Sequence, residues 1–110
     1  VTDLIQRIVA AIIRQEGMPP EHPNPGNLRG APWLDHPVIA GGFWRPTTRA
    51  QGIAGAAHVV ALHVARGESL AQLIASWAPL AENKTAVYIS NVKLWARIPD
   101  EHAPLFRYLV

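Results

Sequence analysis

The sequence predicts an all-α domain with at most one small hairpin: four or five helices around one apolar centre, and a long loop forming a cleft beside them. Three observations predict it. Apolar residues recur at one-turn spacing across residues 4–13 and again, in alanine-rich form, across residues 53–64. Glycine or proline stands just beyond each periodic stretch, at Gly17, Gly67, Pro79 and Pro99. Seven of the ten prolines fall within residues 19–46, and irregular segments of that length inside a small domain are usually functional.

The first helix runs to about Glu16 from a cap at Thr2 or Asp3. Leu4, Ile5, Ile8, Val9, Ile12 and Ile13 make one continuous stripe on it. Gly17 supplies the left-handed position that ends helices, and Pro19-Pro20 prevent continuation. In the proline-rich segment, Val38-Ile39 and residues 42–44 can pair as two short strands joined through Ala40-Gly41. Thr47 or Thr48 caps a second helix reaching about Arg66, with Ile53, Ala57, Val60, Ala61 and Val64 facing the core. Gly52 and Gly55 lower its helix propensity but let another backbone come close. Ser69 caps a short helix over residues 70–77 that buries Leu70, Leu73, Ile74 and Trp77. A fourth helix, residues 86–97, buries Val87, Ile89, Val92 and Trp95 and is broken by Pro99-Asp100, and residues 104–110 add a last short turn.

Composition excludes several classes of protein. With 110 residues, 49% hydrophobic and 16% charged, the chain is one globular domain spanning residues 1–110, without repeats or low-complexity tracts. The absence of cysteine rules out disulfides, thiolate metal sites and a cysteine nucleophile. No apolar run approaches the roughly 20 residues that cross a bilayer. Asp3 and Gln6 interrupt any signal-peptide-like run at the start of this sequence. A net charge of +2 from scattered basic residues lacks the dense stripe of a nucleic-acid binder. A helix, a glycine-containing turn and a helix do follow one another over residues 50–77, but the would-be recognition helix at 70–77 has no Arg or Lys. His58 and His63 are five apart on a helix, roughly 140° around its axis, so they do not share a metal; no metal or other cofactor is expected.

The chemistry centres on Glu16. It lies one turn beyond Ile12 and two beyond Ile8, so it prolongs the apolar stripe. Partial burial and the negative end of the helix macrodipole both disfavour its ionised form, which suits a carboxyl that donates a proton near neutral pH. The alternative is a solvated glutamate in a last turn. Asn24 and Asn27 follow in an Asn-Pro-Gly-Asn sequence able to offer hydrogen bonds to hydroxyl and N-acetyl groups; equally, asparagine in such a turn bonds its own backbone. Arg29 can pair with an incoming carboxylate, pair with Glu16, or stabilise the loop. Trp33, Phe43 and Trp44 can stack on rings or pack as core.

Read in order, these pieces resemble a known family. They are Arg14-Gln15-Glu16-Gly17, then Asn24-Pro25-Gly26-Asn27-Leu28-Arg29, Gly42-Phe43 and Gly52-Ile53-Ala54. Leu70-x-x-Leu73-Ile74, Trp77-Ala78-Pro79 and Glu82-Asn83-x-Thr85 with Tyr88 complete the series. Together they resemble the lysozyme-like peptidoglycan-cleaving domains of phage and bacterial proteins, endolysins and lytic transglycosylases among them. The chain departs from that pattern at Pro23, where the family often has an asparagine, and at residues 46–48, where it tends to have an aromatic. The resemblance implies a lysozyme-like fold with Glu16 as catalytic acid, substrate contacts from Asn24, Asn27, Arg29, Phe43, Glu82, Asn83 and Tyr88, and a peptidoglycan glycan strand as partner. It further implies a periplasmic, extracellular or phage-associated setting, as a monomer or as a domain of a larger protein. A hydrolase needs a second carboxylate, for which Glu21 and Asp35 are the loop candidates; a lytic transglycosylase does not. A non-catalytic wall-binding or phage or secretion structural module of the same fold is the alternative.

Overall fold

A computed structural model of the chain describes residues 2–29, 42–79 and 84–109. Among them are four α-helices, α1 (Thr2–Glu16), α2 (Arg49–Ala65), α3 (Leu70–Trp77) and α4 (Thr85–Ala96), followed by a 3-10 turn at Leu105–Tyr108. The described residues form no sheet, only the isolated antiparallel bridges Arg29–Phe43 and Ser69–Pro104. The chain is therefore of the all-α class. Val38 and Ile39, one half of the hairpin expected from sequence, lie outside the described residues. The described backbone pairing of Phe43 is with Arg29, supported by the Trp44 amide donating to the Leu28 carbonyl at 2.8 Å.

Helix ends follow local chemistry. Gly17 takes φ +65° and its amide donates to Ile13 O at 3.2 Å, closing α1. Thr48 and Ser69 each cap a helix with a reciprocal capping box, to Gln51 and to Gln72 respectively. α4 ends earlier than the proline at 99 suggests, because Arg97 itself adopts the left-handed conformation at φ +58°. Lys84 is the N-cap of α4 but makes no side-chain cap. Thr85 is the first residue of the helix. Its hydroxyl donates to Ala78 O at 2.8 Å, tying the start of α4 to the end of α3.

The core runs through the middle of the bundle. Leu4, Ile8, Val9 and Ile12 of α1 are buried, as the stripe predicts, with Ala11 beside them, while Ile5 and Ile13 of the stripe are partly buried. Each such aliphatic removed from water contributes about 2 kcal/mol. They meet Val60 and Val64 of α2, Leu70, Leu73 and Ile74 of α3, and Val92 of α4 in one cluster. Two expected faces are corrected. In α2 the buried line is Gly52, Gly55, Ala56, Val60, His63 and Val64, while Ile53 stands at the surface. In α4 it is Tyr88, Val92 and Ala96, one turn apart, and Val87 is 52% exposed.

α1 and α4 run antiparallel and are cross-linked along their length. Arg7 Nε donates to Ala96 O at 2.9 Å, Asn91 Nδ2 to Gln15 Oε1 at 2.8 Å, and the Tyr88 hydroxyl to Glu16 at 2.6 Å. That direction brings the first turn of α4 to the last turn of α1, where the only acidic side chain of that turn lies.

Candidate active site around Glu16

Glu16 ends α1 half-buried. Burial pushes its carboxyl above the ordinary glutamate range, and two hydrogen bonds, from Tyr88 and from Asn27, pull partly back by favouring the ionised form. The Tyr88 hydroxyl reaches Glu16 Oε2 at 2.6 Å, short enough for a charge-assisted bond. Tyr88 is 3% exposed. Its phenol is pushed far upward, first by burial and then by the hydrogen bond and charge of Glu16. It therefore stays protonated and acts only as a donor to the carboxylate. The arrangement is a carboxyl biased toward its acid form, with its orientation held by two donors.

The loop that supplies Asn27 is built to a fixed shape. Asn24 is 2% exposed, and its amide is fully engaged: Nδ2 donates to Leu28 O at 2.9 Å and to Trp44 O at 2.8 Å, while Oδ1 accepts from the Leu28 amide at 3.0 Å. The substrate-binding role anticipated for Asn24 is thus corrected. It is a brace, the ordinary turn behaviour of asparagine. Asn27 instead has φ +52° and turns its side chain to Glu16. Asparagine accepts that left-handed backbone more readily than most residues. The Asn27 amide closes the turn onto Asn24 O at 3.0 Å.

Three contacts hold the turn against the helices. Pro25 is fully buried. The Trp77 indole donates to Gly26 O at 2.9 Å, and a Cβ on Gly52 would collide with the carbonyl of Pro23. Gly55 in the same way leaves room for the ring of Trp44. The glycines of α2 therefore serve the close approach that sequence anticipates for them, Gly52 to loop backbone and Gly55 to an indole. Trp77 as an anchor of the loop is not legible from sequence, where it reads only as an apolar position of α3.

Arg29 is exposed and stacks its guanidinium on Phe43, 4.4 Å from the ring centroid. Glu21 is exposed. Asp35, Glu82, Asn83 and Trp33 lie outside the described residues. His63 is buried and paired with Glu68 at 3.0 Å, and His58 is exposed, as the wide angle between them requires. Among the described residues no three His, Asp or Glu side chains converge as a metal site.

No protein-family model, curated protein or solved structure matches this chain. The geometry around Glu16 therefore has to carry the functional reading.

Proposed function

We propose that the protein cleaves glycosidic bonds of bacterial cell-wall peptidoglycan, with Glu16 as general acid and base on a lysozyme-like scaffold. The observation that carries this is a half-buried carboxyl at the end of α1, raised toward its acid form and aimed by Tyr88 and Asn27. Glu16 donates its proton to the leaving glycosidic oxygen as an oxocarbenium-like centre develops at the anomeric carbon. Its carboxylate, steadied by the two donors, then takes a proton from the incoming nucleophile. In a lytic transglycosylase the nucleophile is the 6-hydroxyl of the same muramic residue, which closes a 1,6-anhydro ring and returns the proton to Glu16. In a muramidase it is water. The first route needs no second carboxylate, and Glu21, the one candidate for that role among the described residues, stands exposed on the loop.

The test is digestion of purified peptidoglycan with mass spectrometry of the products. An anhydro-muramyl end identifies the transglycosylase, and a reducing muramic end identifies the muramidase. A folded wild-type protein that binds the wall and releases nothing defeats the enzymatic proposal in favour of a wall-binding module.

A further inference from the structure

We infer that the protein carries a second site, on the side of α1 remote from Glu16, that binds a phosphate group. A cavity of about 210 Å³ lies there, lined by Arg7, Ala10, Ala11, Arg14, Trp95 and Arg97. Arg7 and Arg14 are two turns apart on one face of α1, roughly 180° around the helix from Glu16. Three arginines thus line one small cavity, and two of them are held by separate contacts. Arg7 donates to Ala96 O at 2.9 Å and to Asp3. Arg14 lies flat on the Trp95 ring, 4.1 Å from its centroid. Arg97 lines the cavity from the left-handed position at the end of α4. Asp3 is the one acidic side chain paired with any of the three among the described residues, so the cavity keeps an excess of positive charge.

An independent observation concerns Arg97. The left-handed position after a helix suits glycine, and a side chain there carries backbone strain. The chain uses glycine at the equivalent place after α1 and next to the end of α2, at Gly17 and Gly67, but arginine after α4. Strain retained at one residue is accounted for when that side chain does something glycine cannot. Arginines converging from two elements, Arg7 and Arg14 from α1 and Arg97 from the end of α4, suit a tetrahedral, multiply charged anion better than a planar carboxylate, which one or two forks saturate. The bound chemistry is therefore a phosphate mono- or diester, carried by a soluble polymer or by a lipid headgroup.

The experiment is a titration of the full chain with inorganic phosphate and with glycerol phosphate at low, constant ionic strength. It is read by the indole resonance of Trp95 and the amide resonances of residues 7–14 and 95–97, with acetate as control. The expected result is a saturable shift confined to those signals, at least fivefold weaker with acetate. It should weaken at least fivefold in Arg14→Gln and Arg97→Gly. Arg97→Gly also melts at a higher temperature than the wild type, which separates loss of a ligand from loss of fold. Sedimentation with vesicles containing phosphatidylglycerol, set against binding of a soluble glycerol-phosphate polymer, identifies the source of the phosphate. An equal response to acetate, a shift spread over the whole spectrum, or full phosphate affinity in Arg97→Gly overturns the inference.

Discussion

Tyr88 and Glu16 make opposite demands on one proton. Burial favours the acid form of Glu16, and the tyrosine donor favours the carboxylate. Replacing Tyr88 with phenylalanine removes the donor and leaves the burial. The Glu16 pKa is then expected to rise further, moving the alkaline limb of the pH–activity profile upward, at a stability cost of about 1 kcal/mol. An unmoved limb would show that the two groups are not coupled. The same logic gives a sign for folding. A carboxyl whose pKa is higher folded than unfolded favours the native state below its unfolded pKa, near 4.3. That advantage disappears as pH rises through the folded value. Glu16→Gln removes the liability while its side-chain carbonyl still accepts from Tyr88. Its melting temperature at pH 7 should equal or exceed that of the wild type, and the difference should close toward pH 4. Asn24→Ala removes three buried hydrogen bonds and should cost about 3 kcal/mol, read by denaturant unfolding. Asn24 and Asn27 also show where sequence stops short. Both are asparagines of one turn, and nothing local distinguishes the one that folds back on Leu28 from the one that faces Glu16; the position of Trp44 and the end of α1 decide it.

Helix termini were legible because capping boxes and glycines act within a few residues. Thr48, Ser69 and Gly17 sit where their side chains, or the lack of one, require. The buried faces of α2 and α4 were less legible. Both helices are apolar nearly all the way round, so periodicity does not single out one side, and packing against α1 makes the choice. Val87 and Tyr88 test that choice. Val87→Lys should change stability by less than about 0.5 kcal/mol, because its side chain faces outward. Val92→Ala, one turn along the Tyr88 line, should cost about 2 kcal/mol. Gly52→Ala poses the sharper question for α2. Helix propensity alone favours alanine by about 1 kcal/mol, whereas the nearby Pro23 carbonyl forbids a methyl group. Chemical denaturation should show a net loss of about 2 kcal/mol, with the Asn24 turn displaced from Glu16.

Taken as a whole, the molecule is a helical bundle in which α1 contacts both neighbours that matter to the site: α4 brings Tyr88, and the loop pinned on α2 and by Trp77 brings Asn27. Each of these arrivals orients one carboxyl, which burial biases toward its acid form. The class of fold was readable from helical periodicity and its punctuation, while the convergence on Glu16 depends on which faces meet and becomes visible only in three dimensions. The central claim is that this carboxyl transfers the proton in cleavage of a glycan strand. Its most direct test is the release of muropeptide fragments from purified peptidoglycan by wild-type protein and by Glu16→Gln, with folding of both checked by circular dichroism. The account predicts soluble fragments from the wild type and a rate at least about 100-fold lower from the folded Gln variant. Equal release by the two proteins would contradict it.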